Sequence, residues 1–396
     1  MSADEKEGRK VYFDHNATTY TRIEVVEKMM PYFRQHYGNA SSLHFYGQQT
    51  RRTVDESRKQ VAALIGAEPA EIIFTSGGTE SDNIAIRGTV SAVREPGKKP
   101  HVITSDIEHP AVLRTCKSLE DDGVDVTFVP CSTGGVVRVD LIEKAFRPET
   151  VLVTVMLANN ETGVIQPVEK ISRMTRERGI NFHTDAVQAV GKMHVNVDEL
   201  GVELLSVSAH KFYGPKGIGA LYVRRGTPLE PVYMGGSHEF GLRPGTENIP
   251  AIAGFGEACR ISIEELPDEI ERIEKLRDGL ERSILDRIED IDINGAGTTR
   301  LPNTSSISIA RVEGEAITLN LSMLGFAVSG GSACASGENE PSHVLMAMGV
   351  EPLAAQGSIR ISLGAENSEE EVEAFADALQ GIVARLRELS PIKQSR

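Results

Sequence analysis

Cysteine is scarce in this chain of 396 residues: there are four, Cys116, Cys131, Cys259 and Cys334. None forms a C-x-x-C pair or sits close to another, which argues against a zinc knuckle, a haem attachment or a disulfide framework and leads us to expect no resident metal and a reduced, cytoplasmic setting. Long apolar runs are missing too. The longest, residues 151–158, is far below membrane-spanning length, and the polar opening MSADEKEGRK lacks the apolar centre of a signal peptide, so neither membrane nor export is expected. Positive charge is in deficit, with 42 Lys and Arg against 57 Asp and Glu and a net charge of −15. That balance argues against a general nucleic-acid or anionic-membrane partner while leaving room for a local basic pocket. No repeat or low-complexity tract interrupts the sequence. At 40% hydrophobic and 25% charged residues, the composition is that of a globular enzyme, and the length suits one large domain plus a smaller one or two domains of similar size.

The informative stretch is residues 206–223, SVSAHKFYGPKGIGALYV. Apolar strand residues (Leu204, Leu205, Val207) lead to His210 and Lys211, and a turn with Gly214, Pro215, Gly217 and Gly219 leads into a second apolar strand. Most lysines are solvated surface charges. Lys211 instead closes a buried element, where desolvation lowers an amine's pKa and readies its lone pair for a carbonyl. Asp185 likewise closes an apolar strand one strand-and-loop unit upstream. An aspartate to hold a pyridine nitrogen protonated and a later lysine to carry an aldehyde are what pyridoxal phosphate needs.

The rest of the pattern is α/β. Residues 11–19 read as an extended arm, 22–36 as an amphipathic helix, and a second long helix ends near Gly66. Strands are predicted at 71–75, 101–105, 124–129 and 151–157, alternating with helices as in a mostly parallel sheet covered on both faces. Between the first strand and the helix expected from Ser81 onward lies a glycine turn, residues 76–80. It suits a phosphate at a helix N-terminus; equally, Thr79-x-x-Asp82 has the spacing of an ordinary capping box. Ligands of such sheets bind beyond the carboxyl ends of the strands, and Thr79, His109, Asn160, Asp185 and Lys211 all fall there. Each has a dull explanation as a cap, a turn amide or a surface group; five together fit a site better. Further on, a helix over 249–265 is expected to break at Pro267, where the domain change is placed, with short strands following at 305–309, 326–329 and 358–362.

Cys116, Cys131 and Cys259 read as buried small hydrophobes, whereas Cys334 lies among glycine and small polar residues and is the nucleophile candidate. Arg360 sits inside an apolar strand, where its guanidinium requires a carboxylate from the protein or from a substrate.

Taken together, TSGGTESDN (75–83), EHP (108–110), NNETG (159–163), HTDAVQAVGK (183–192), SAHKFYGPKG (208–217), RPGTEN (243–248), GSACASG (331–337) and SIRISLG (358–364) resemble the cysteine desulfurases of the NifS/IscS type, fold-type-I pyridoxal-phosphate enzymes, over nearly the whole chain. The resemblance implies an N-terminal arm (1–19), a large cofactor-binding domain (20–266) and a small domain with a mobile cysteine loop (267–396). It makes Lys211 the Schiff-base lysine, Asp185 the partner of the pyridine nitrogen, Gln188 the neighbour of the phenolic oxygen and His109 the stacking residue that helps proton transfer. Gly78, Thr79, Ser208 and His210 would bind the phosphate, with Thr246 reaching over from a neighbouring subunit of a homodimer. Asn160 would contact the cofactor, Arg360 the carboxylate of L-cysteine, and Cys334 would carry the sulfur as a persulfide, with at most a transient iron–sulfur contact. Sulfur would pass to an iron–sulfur scaffold protein or a tRNA-thiolating enzyme. A selenocysteine lyase or small-amino-acid aminotransferase on the same fold, or a non-catalytic sulfur-trafficking adaptor, are the alternatives. An aminotransferase has no use for Cys334, and an adaptor none for Lys211 with Asp185. Two departures stand out: His15 occupies a position where the family commonly has tyrosine, and the C-terminus, 389–396, is short and polar.

Overall fold

The computed structural model describes residues 10–94, 97–330 and 341–389. Its strands are β1 (Val11–Tyr12), β2 (Ile72–Thr75), β3 (His101–Ser105), β4 (Asp125–Val129), β5 (Thr150–Thr154), β6 (Asn181–Asp185), β7 (Leu204–Ser208), β8 (Gly219–Val223), β9 (Ile291–Ile293), β10 (Thr304–Ile309), β11 (Phe326–Ala327), β12 (Ser329–Gly330) and β13 (Ser358–Ser362). Seven of them form the main sheet in the order β2-β8-β7-β6-β5-β3-β4. From β7 to β4 neighbours run parallel, and β8 alone is antiparallel to both of its partners. Strands such as β2 and β7 are buried at every residue, as a sheet covered by helices on both faces demands. The chain leaves β3 for β4 at one edge and returns on the other side to β5, so the strand order reverses between β3 and β5 and opens a crevice at their carboxyl ends.

A second, antiparallel sheet has the order β12-β13-β10-β9, and β1 pairs in parallel with β11. The helix Glu369–Leu389 covers this sheet with Val372, Phe375 and Leu379. The helix His343–Ala347, although it comes late in the chain, packs Val344 and Leu345 into the core of the main sheet. No helix among the described residues is long and apolar enough to cross a membrane.

Several elements differ from their sequence expectation. Pro267 does not end a helix: Ile249–Arg287 is continuous through it. A proline inside a helix forfeits one backbone bond and costs about 3 kcal/mol. Burial on both sides of Pro267 outweighs that loss, with Ile252, Phe255 and Cys259 in the core of the main sheet and Ile273, Leu276, Leu280 and Ile284 in that of the second. The amphipathic segment 22–36 is two helices, Ile23–Met29 and Pro31–Arg34, because Pro31 lacks the N–H that would continue the first. The strand expected over 326–329 is divided between β11 and β12, which belong to different sheets. Cys116 and Cys259 are buried as expected, but Cys131 is only half-buried.

Candidate active site

The carboxyl ends of β2, β3, β5, β6 and β7 carry Thr79, His109, Asn160, Asp185 and Lys211, as the alternation of elements predicts. The helix after β2 begins at Gly78, earlier than expected, and Gly77 caps it without any side-chain bond, so the capping-box reading of Thr79 and Asp82 does not hold. Gly77 has φ 150°, open only to glycine, and a Cβ on Gly78 would lie 2.6 Å from Val187 Cγ2. The backbone here is bare because nothing larger fits. Thr18, residues 76–80, Ser208, His210, Lys216 and Gly217 line a cleft of ≈ 350 Å³ at this helix N-terminus. Thr246 is exposed on the loop before the long helix and does not line the cleft.

Lys211 ends the single 3-10 turn that follows β7, and its Nζ donates to the backbone oxygens of Asn16 (2.7 Å) and Ala17 (2.9 Å) in the arm. Asn16 is a junction. Its carbonyl also accepts Gln188 Nε2 at 3.0 Å, and its Oδ1 accepts Lys192 Nζ and Asn303 Nδ2, each at 3.0 Å. Its own amide donates to Thr304 Oγ1 and to the carbonyl of Asn160. Asn16 and Lys192 are functional residues absent from the sequence expectations. For Lys192 the signal was its place four residues after Gln188; for Asn16, whose partners lie 144 to 288 positions away, the local sequence holds none.

Below the crevice floor, acidic groups converge. Ligand atoms of Asp82, His109 and Asp185 all lie within 4.8 Å of one another. Burial raises the Asp185 carboxyl to about 6, restrained by the Val187 N–H it accepts and by the charge of Lys211. Burial, reinforced by Asp185, pushes Asp82 well above the carboxylate range, and its Oδ1 has no hydrogen-bond partner among the described residues. Burial lowers His109 to about 4, so it is neutral, and the Ala111 N–H donated to its Nδ1 places the ring proton on Nε2. Glu108 beside it is fully buried; its carboxylate accepts the Met156 N–H on both oxygens at 3.0 Å and the Ser105 hydroxyl at 2.5 Å.

Arg360, on β13, answers the question of its partner. Its NH2 donates to Asp14 Oδ1 at 2.9 Å and to Ser329 Oγ at 3.2 Å, its NH1 donates to the carbonyl of Asn160 at 3.0 Å, and its Nε has no hydrogen-bond partner among the described residues. The carboxylate that the sequence required therefore comes from the arm. Cys334 and the rest of residues 331–340 lie outside the described residues.

The description "Aminotransferase class-V" matches residues 11–375. The chain belongs to the class-V aminotransferase family. Within it, the chain is 50% identical over 386 residues to a protein of Dictyoglomus turgidum called cysteine desulfurase IscS, covering 98% of each. Among solved structures, a NifS-like protein is 40% identical with a TM-score of 0.89, covering 95% of this chain and all of that one. Another, described as SspA in complex with cysteine, is 37% identical with a TM-score of 0.80, covering 90% of this chain and 99% of that one. The cofactor of this family is pyridoxal 5′-phosphate. The residues present suit it: a bare glycine cradle at a helix N-terminus for the phosphate, a buried carboxylate whose ionised form needs a cation, and an amine at the next strand end.

Proposed function

We propose that this chain is a cysteine desulfurase, which takes the sulfur of L-cysteine and leaves L-alanine. Pyridoxal phosphate, when bound, supplies an aldehyde that joins an amine and an electron-accepting ring that weakens the Cα–H bond of an amino acid. Lys211 is the amine that holds it and, when released, a base. Asp185 keeps the pyridine nitrogen protonated, and that cation in turn stabilises an aspartate whose ionisation burial otherwise opposes. His109, neutral with its proton on Nε2, stacks on the ring and offers a donor. Gly78, Thr79, Ser208 and His210 hold the phosphate in the cleft they line, Gln188 meets the phenolic oxygen, and Asn160 adjoins the cofactor. Arg360 binds the substrate carboxylate, which takes the place now held by Asp14 or shares the guanidinium with it.

Cys334 completes the reaction in this reading. Its thiolate forms an S–S bond to the substrate sulfur as the Cβ–S bond breaks. The bonding pair stays with the three-carbon fragment, which takes up a proton and departs as alanine, so no outside oxidant or reductant is consumed. The sulfur then passes as a persulfide to an acceptor, an iron–sulfur scaffold or a tRNA-thiolating enzyme, in the cytoplasm. The working form is a homodimer in which Thr246 serves the partner's phosphate site. The outward position of Thr246, and the exposed cluster of Tyr37, Leu43, Phe45 and Tyr46, support this.

One observation carries the reading: Lys211 and Asp185 stand at adjoining strand ends, β7 and β6, in a chain 50% identical to a cysteine desulfurase over 98% of its length. The test is to incubate the protein with L-cysteine, measure alanine, and search by mass spectrometry for one added sulfur on the peptide holding Cys334. Alanine and sulfur should appear in equal amounts. Pyruvate in place of alanine, or sulfur on Cys116, Cys131 or Cys259 instead, would overturn it.

A further inference from the structure

Lys192 is buried, and neither of its hydrogen-bond acceptors among the described residues is a carboxylate. Its Nζ donates to two amide oxygens, Gln188 Oε1 at 2.7 Å and Asn16 Oδ1 at 3.0 Å. A lysine buried without an anion beside it is costly to keep, and an apolar residue of the same length would fill the space. What the amine does here is dictate direction. An amide has an accepting end and a donating end, and the Lys192 amine offers hydrogens, so the oxygen of Gln188 must turn toward it and the nitrogen must turn away. The nitrogen end then reaches the carbonyl of Asn16, the same oxygen that receives Lys211 Nζ. Gln188 Nε2 and the lysine that carries the aldehyde thus share one acceptor, and the phenolic oxygen of pyridoxal phosphate is attached to the ring carbon next to the one bearing that aldehyde. Gln188 Nε2 donates one of its two hydrogens to Asn16, and the second would serve a phenolic oxygen bound there.

We propose that Lys192 is a positioning residue for the cofactor: by clamping the oxygen of Gln188 it presents the amide nitrogen, as a donor, to the phenolic oxygen. This rests on the reading of the site as a pyridoxal-phosphate site. Other charges face Lys192 from several directions. Lys211 and Arg360 oppose its protonation, as does burial, and His15 from the arm and His210 from the turn after β7 lie in its field. Glu269 of the long helix lines the same cavity as Lys192, Lys211 and His15. Both Lys192 bonds are donated to oxygen, which a neutral amine satisfies as well as an ammonium, so the orientation of Gln188 holds in either state.

A donor on the phenolic oxygen stabilises its ionised form, so losing that donor raises the pH at which the bound chromophore ionises. The experiment follows the visible absorption of purified holoenzyme against pH in wild type, Lys192→Met, Gln188→Ala and the double variant. Lys192→Met is expected to move the midpoint up by about one pH unit, and to add nothing once Gln188 is alanine. An unmoved midpoint in Lys192→Met with wild-type circular dichroism would overturn the proposal. So would an equal shift in the Gln188→Ala background, which would mean that Lys192 acts without Gln188. Should Lys192→Met not fold, Lys192→Gln keeps a donor nitrogen on a shorter side chain and is expected to give a smaller upward shift, no shift again being fatal. A wild type with no visible band after addition of pyridoxal phosphate would bring down the reading of the site itself, a result distinct from a coloured wild type with unresponsive variants.

Discussion

Replacing Glu108 by glutamine tests how dry the floor of the crevice is. Burial raises this carboxyl from an ordinary 4.5 to about 8; the Ser105 hydroxyl and Met156 N–H oppose the rise, and Asp185 and Asp106 add to it. In the unfolded chain the group ionises near 4.5 and in the folded chain near 8, so between those values the unfolded state holds fewer protons and stability falls as pH rises. The displacement corresponds to about 5 kcal/mol, present in full below pH 4.5 and gone above pH 8. Glutamine carries no charge, keeps an oxygen for the Met156 N–H and can donate to Ser105 Oγ. Glu108→Gln should therefore match the wild type at acid pH and exceed it by several kcal/mol above pH 8. Urea unfolding followed by circular dichroism, from pH 5 to 9 and with and without pyridoxal phosphate, measures this. Parallel stability curves would refute the reasoning and mean that water reaches Glu108 in the folded protein.

Lys211→Ala should be colourless where the wild type is yellow, whereas Cys334→Ser should keep the colour and lose at least ~100-fold in sulfide released from L-cysteine. Arg360→Lys should raise KM for L-cysteine by ~10-fold or more while the absorption spectrum stays the same, because one charge-assisted hydrogen bond is worth about 1.5–3 kcal/mol. A change in kcat alone would place the carboxylate elsewhere. Arg58→Met should lower stability by ~3–5 kcal/mol in thermal or urea unfolding, since it strands Glu239, buried and bonded to both Arg58 terminal nitrogens at 2.7 Å. An unchanged midpoint would mean that Glu239 finds solvent or another cation.

The main sheet was legible because its strands are short apolar runs bounded by glycine and polar turns, and because a parallel α/β sheet gathers ligand groups at one end of its strands. That is enough to bring Thr79, His109, Asn160, Asp185 and Lys211 together without coordinates. Local signals misled at Pro267 and Pro31 in opposite ways. At Pro267 two cores grip the helix from either side and override the lost bond; at Pro31 only a short surface helix is at stake and proline decides. The supporting residues of the site were harder to see. Asn16 and Asp14 act through partners hundreds of positions away, and nothing in their immediate neighbours announces such contacts; Lys192 lies four residues from Gln188, but its second acceptor, Asn16, is 176 positions away. Arg360 was half legible: the cost of a bare guanidinium announces that a carboxylate exists, not that it comes from Asp14.

The junction at Asn16 bears on how this protein is to be handled. Two lysine amines, a glutamine and a second asparagine are all satisfied by the two oxygens of one residue near the start of the chain. Shortening the chain past that point would unseat the amine chemistry of the main sheet while sparing every strand in it, and would also strip Val11 and Phe13 from the core of the second sheet. Trimming for crystallisation or display should stop ahead of Val11.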